Sequence, residues 1–265
     1  MRAIILAAGE GTRLKKYTRE LPKGMLSFMG KPLLLWQTEA LRAAGIEDIS
    51  IVTGFARDHI DIPGTRKYVN QQYASTNMVF SLMCAREMLD SDVIVSYSDI
   101  LYEERLVRLI CDSPGDINVL VDEDWQKYWK KRYGRVDFDT ESLSISDGCI
   151  VSLGDENPVF EEIDARFVGL LKFTRRGIQR LMDIWDRDID AFRDVPWQVS
   201  GKTLPNAYMT DMVQALIESG ELVRAAPIRG GWIEFDTNED YENANLWHMD
   251  GTLQDLISIR EEAQR

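Results

Sequence analysis

Residues Ala3 to Ala8 form a short apolar run that stops at Gly9, and Gly11 follows two places on. Six apolar residues closed by glycine read as a buried parallel strand, and in open α/β sheets ligands bind beyond the carboxyl ends of such strands. Gly9 and Gly11 permit positive φ and let backbone N–H groups approach a ligand closely. Arg13 and Lys23 add two cations just beyond. A strand, a glycine loop and two basic side chains describe a seat for a polyphosphate.

Two familiar phosphate loops do not fit. The dinucleotide fingerprint G-x-G-x-x-G finds Leu14 where its third glycine belongs. The P-loop pattern G-x-x-x-x-G-K-[ST] is met neither at Lys23-Gly24 nor at Gly30-Lys31-Pro32. Charge narrows the ligand further. With 31 Lys+Arg against 44 Asp+Glu, the chain carries a formal net charge of −13. That balance disfavours nucleic acid or an anionic membrane as partner and makes the two cations beside the loop more telling. Cys84, Cys111 and Cys149 show no C-x-x-C spacing, and His59 and His248 are too few for a histidine-based centre. No apolar run approaches a membrane span, so the expected setting is the cytoplasm.

Along the chain, apolar and helical patterns alternate. Strands are expected at Ile49–Thr53, Arg66–Val69, Asp92–Asp99 and Ile117–Val121, with helices at Leu33–Ala44, Asn77–Leu89 and Glu103–Cys111. This alternation predicts a doubly wound, mostly parallel α/β sheet. Between Trp125 and Phe167 the rhythm shifts to short β-like segments with turns such as Asp147-Gly148, which reads as a small β-rich lobe inserted at about 125–167 in a single domain, 1–265. Strand Val168–Phe173, helix Arg175–Trp185, a loop over Arg187–Leu204, helix Tyr208–Glu218, strands at Leu222–Ala226 and Trp232–Phe235, and C-terminal helices follow.

The composite L-A-A-G-x-G-T-R-L, then P-K, then G-K-P-L-L, resembles the nucleotidyltransferases that activate sugar phosphates and phosphocholine with a nucleoside triphosphate. The segments Tyr73–Ser81, Ile94–Ile100 and Glu162–Phe173 look most like the CTP-dependent cytidylyltransferases of phosphonate and phosphocholine metabolism. The resemblance implies a Rossmann-like nucleotidyltransferase fold, Mg²⁺ as cofactor, and CTP plus a small phosphonate or phosphomonoester as substrates; a homodimer is compatible with it. It implies Arg13 at the leaving pyrophosphate and Lys23 at the reacting phosphorus. The nucleotide is expected against Leu6, Ala7, Ala8, Gly9, Gly11, Thr12, Arg13, Tyr73, Thr76, Asn77, Ser81 and Ser98, and the metal on Asp99 and Asp236. From spacing alone Asp99 reads equally as a turn former and Asp236 as a helix cap.

For the acceptor, Trp125, Trp129 and Arg132 share one helical face at i, i+4, i+7. They could hold it by cation–π and forked hydrogen bonds, or could bury the rings of a lid helix against the sheet. Lys172, Tyr208 and Asp211 are further acceptor candidates, with capping the competing role for Asp211. Gly134–Phe138 departs from the relatives' proline-containing segment, which puts the acceptor pocket in question. The rival functions are a sugar-1-phosphate nucleotidyltransferase using UTP or dTTP and a catalytically silent nucleotide-binding module.

Overall fold

The computed structural model describes residues 1–155 and 158–259, so residues 156 and 157 of the 125–167 segment and the last six of the chain lie outside the described part. Nine strands form one mixed sheet: β1 (Arg2–Ala7), β2 (Ile49–Thr53), β3 (Thr65–Val69), β4 (Val93–Tyr97), β5 (Ile117–Asp122), β6 (Leu143–Ser146), β7 (Cys149–Leu153), β8 (Arg166–Phe173) and β9 (Val223–Ile228). Their spatial order is β3-β2-β1-β4-β8-β5-β9-β7-β6. Parallel pairing joins β3, β2, β1 and β4, and β5 with β9. β8 runs antiparallel to both neighbours, β4 and β5.

The apolar run of β1 is continuous because both faces of the sheet are covered. Ala3, Ile5 and Ala7 enter one core, Ile4 and Leu6 the other, as the two-residue strand period requires. Helices α1 (Leu33–Ala43), α3 (Glu104–Asp112), α4 (Trp125–Tyr133) and α7 (Asn238–Met249) contribute to the first core. Helices α2 (Met78–Cys84), α5 (Arg175–Asp188) and α6 (Met209–Glu218) contribute to the second.

The segment 125–167 departs from the expected β-rich lobe. Its first part is the helix α4, and its β content among the described residues is the hairpin β6–β7, the start of β8 and no more. The hairpin is not a separate layer: β7 pairs with β9 and extends the main sheet. Asp147 and Gly148 at its tip have φ of 51° and 73°, the doubly positive turn that Asp-Gly favours in hairpins.

A small antiparallel ribbon decides where the carboxylates go. Ile100–Tyr102 pairs with Trp232–Glu234, and the Phe235 N–H donates to the Asp99 carbonyl at 2.7 Å. Asp99 and Asp236, 137 positions apart in sequence, are thereby brought to one point just past the end of β4.

Candidate active site

At the carboxyl edge of β1, β2 and β4, the glycine loop turns through Gly11, whose φ is 63°. A side chain on Gly11 would meet the Lys23 side chain at 3.3 Å, so the position serves both the left-handed turn and the close passage of Lys23. Lys23 opens a single 3₁₀ turn, Lys23–Met25, after Pro22. Its ammonium donates to Asp99 Oδ2 at 2.9 Å and to Asp236 Oδ1 at 2.8 Å. Arg13 reaches the other oxygen of Asp236 at 2.7 Å. The Lys23 side chain is only 13% exposed. Burial alone would lower its pKa, but Asp99 and Asp236 together outweigh that cost and raise it above the ordinary lysine value. The centre therefore holds a fixed cation between two carboxylates.

Two cavities meet here. The smaller, about 230 Å³, is lined by Leu6, Ala8, Gly9, Gly11, Tyr73, Thr76, Asn77, Ser81 and Ser98, together with Arg13, Lys23, Asp99 and Asp236. Ala7, one residue out of phase with Leu6, buries its side chain in the opposite core, and Thr12 lies exposed beside the loop; neither lines this cavity. Asn77 caps α2 by accepting from the Met78 N–H. Asn70, fully buried and not singled out by the sequence reading, donates to Thr76 Oγ1 at 2.9 Å and Ser81 Oγ at 3.0 Å and so fixes this wall.

The larger cavity, about 580 Å³, shares Arg13, Met78, Tyr97, Tyr208 and Asp236 with the smaller. Its remaining wall comes from the strap Asp137–Glu141, from Arg166 and Phe167 at the start of β8, and from Thr210 and Glu234. The departing segment Gly134–Phe138 thus supplies part of it. Tyr97 lines both spaces and packs edge-on to Phe167 with ring centroids 5.7 Å apart. Burial pushes its phenol well above the ordinary value, so it stays neutral.

Of the expected acceptor residues, Tyr208 lines both cavities, whereas five others are turned elsewhere. Trp125 and Trp129 are buried in the core, so their rings present no face to a ligand. Trp129 instead donates from Nε1 to the Phe138 carbonyl at 2.8 Å and anchors the strap from beneath. Arg132, its side chain 1% exposed, forks onto both oxygens of Asp240 at 2.6 Å and also meets Glu234 at 2.6 Å. Asp240 in turn accepts from the N–H groups of Asp236 and Thr237, so Arg132 holds the carboxylate loop rather than a substrate. Asp211 is buried and accepts from Tyr208 N and from the N–H and hydroxyl of Ser200, the capping alternative. Lys172 sits at the far edge of the sheet. Because β8 is antiparallel, its end lies beside the starts of β4 and β5, where Lys172 donates to the Cys111 and Ser113 carbonyls at the end of α3.

Sequence reasoning missed Tyr97, Arg166, Glu234 and the strap. No local signal gives the direction of β8, and its reversal carries Arg166 to the site as it carries Lys172 away.

A family model described as the MobA-like NTP transferase domain matches residues 3–135. The CTP:phosphoglutamine cytidylyltransferase of Campylobacter jejuni is 34% identical over 258 residues, spanning 91% of this chain and 98% of that protein. The choline-phosphate cytidylyltransferase of Streptococcus pneumoniae is 36% identical over 107 residues, 39% of this chain and 47% of that protein. The solved CTP:phosphocholine cytidylyltransferase of Streptococcus pneumoniae superposes with a TM-score of 0.71 at 23% identity, covering 92% of this chain and 97% of that one.

Proposed function

Since the chain belongs to the MobA-like NTP transferase family, we propose that it transfers CMP from CTP to a small phosphonate or phosphomonoester and releases pyrophosphate. The observation that carries this reading is the Asp99–Lys23–Asp236 cluster, with Arg13 on its outer side, at the junction of the two cavities. The smaller cavity takes the nucleotide and the larger the acceptor. The kinship with proteins named for CTP supports the choice of base.

The reaction needs an acceptor oxygen to attack the α-phosphorus in line, forming the new O–P bond as the bond to the pyrophosphate oxygen breaks. The acceptor is already an anion, so no strong base is required; alignment and charge neutralisation are. Lys23 stands where negative charge gathers on the α-phosphate, and Arg13, more exposed, meets the departing pyrophosphate. Asp99 and Asp236 would hold Mg²⁺. Two hard oxygen ligands converging on one cationic centre, here Nζ of Lys23, are the donor set that Mg²⁺ takes alongside phosphate oxygens and water. When bound, Mg²⁺ supplies further neutralisation of the phosphate oxygens.

The test is pyrophosphate release with CTP, UTP, dTTP, ATP and GTP against phosphonate, phosphocholine and sugar-phosphate acceptors. A buried acceptor facing the cytosine amine is left unpaired by uracil, so CTP should exceed UTP by at least about tenfold in kcat/KM. A preference for UTP or dTTP with a sugar phosphate would replace this reading with sugar activation.

A further inference from the structure

The larger cavity contains a cation to which the reaction described so far assigns no role. Arg166, at the first position of β8, has a side chain 13% exposed. Its Nη1 is buried and has no hydrogen-bond partner. Glu141 Oε1 forms a long ion pair with it at 3.9 Å, beyond hydrogen-bond reach, and the guanidinium lies over the Trp129 ring with Cζ 4.7 Å from its centroid. A desolvated guanidinium with an unmet donor is costly unless an anion comes to it. The other charged residues on the cavity wall are mainly anionic. Asp137 is forked by Arg135 and Glu234 is paired with Arg132. Asp139 receives a neutral donor, the Tyr133 hydroxyl at 3.1 Å, and no ion pair to it is found among the described residues.

We propose that the acceptor is of amino-acid type. Its phosphoryl or phosphonyl group lies at the junction of the two cavities, its carboxylate engages the Arg166 fork, and its ammonium group lies against Asp139. The proposal rests on the cytidylyltransferase reading and deepens it at the same site. A planar, always-charged fork over an aromatic ring is suited to a carboxylate in a way that a lysine is not.

Three commercially simple acceptors isolate the two charges. 2-Amino-4-phosphonobutyrate carries both, 3-aminopropylphosphonate lacks the carboxylate, and 4-phosphonobutyrate lacks the amine. With the wild-type protein and CTP, the first should exceed each of the others by at least about tenfold in kcat/KM. Arg166→Met should abolish the advantage conferred by the carboxylate while leaving 3-aminopropylphosphonate within a few-fold and the KM for CTP unchanged; Arg166→Lys should restore little. Asp139→Asn should abolish the advantage conferred by the amine. Equal use of 2-amino-4-phosphonobutyrate and 3-aminopropylphosphonate by the wild type would overturn the proposal, as would an equal loss on both in Arg166→Met. Turnover of phosphocholine without preference for the amino acid would overturn it while sparing the cytidylyl reading. If CTP is not consumed with any acceptor, that reading fails by itself. Calorimetric titration of the same three compounds then decides the proposal: carboxylate-dependent binding that vanishes in Arg166→Met supports it, and its absence overturns it.

Discussion

Lys23 shares its charge between Asp99 and Asp236, and that sharing sets what its loss should do. In Lys23→Ala two carboxylates facing each other lose their common partner, and the developing phosphate charge loses its nearest fixed cation. We expect kcat to fall by about 10²–10³-fold, as for removal of one preorganised donor at a reacting centre, with the KM for CTP changed much less. Steady-state kinetics checks this; weaker nucleotide binding at unchanged kcat would assign Lys23 to the ground state. Its pH behaviour follows from the raised pKa. The contribution of a group shifted upward is fully present below its unfolded pKa and is lost only as pH rises through the folded one. The stability that Lys23 contributes should therefore hold across the neutral and mildly alkaline range, read by denaturation at several pH values.

At the scale of elements, α4 and α7 are clasped by Arg132 and Asp240, and the clasp reaches the site through the Asp236 and Thr237 N–H groups. Arg132→Ala would leave Asp240 buried without its partner and should cost about 3–5 kcal/mol of stability, read by chemical denaturation. Burial alone would raise the Asp240 carboxyl, but Arg132 overrides it and holds it below the ordinary carboxylate range. The clasp is thus in force at neutral pH and above, and is lost only as pH falls through that depressed value. A smaller change tests the strap. Trp129→Phe keeps a ring and removes the donor to the Phe138 carbonyl; the KM for the acceptor should rise several-fold while that for CTP holds. Of the two readings open for the Trp-Trp-Arg face, the fold realises the buried one. Spacing of i, i+4, i+7 reports that three residues share a helical face, not whether that face meets solvent or another helix. The same limit applies to β8: apolar residues mark Val168–Phe173 as a strand, but nothing local states its direction, and direction put Lys172 at one edge and Arg166 at the other.

Over the whole molecule, what was legible is what local chemistry determines. The run Ala3–Ala8 and the glycine loop needed only their neighbours to be recognised, Asp99 and Asp236 were singled out by the family resemblance, and the structure joins them at one edge through the ribbon that ties Asp99 to Phe235. Of the larger cavity beyond Arg13 and Asp236, only Tyr208 and the segment Gly134–Phe138 were legible, because its walls come from a strap, a reversed strand and a distant helix start that meet only in the folded chain. On the proposed reading, the two cavities that meet at Arg13, Tyr97, Tyr208 and Asp236 hold nucleotide and acceptor side by side, and the bond that forms is at the α-phosphorus. Incubation of the protein with Mg²⁺, an acceptor such as 2-amino-4-phosphonobutyrate or phosphocholine, and CTP labelled at the α-phosphorus tests this directly. The account predicts that the label appears in a CMP–acceptor conjugate while unlabelled pyrophosphate is released in equal amount. Label remaining in CDP, with phosphate or a phosphorylated acceptor as the other product, would contradict it.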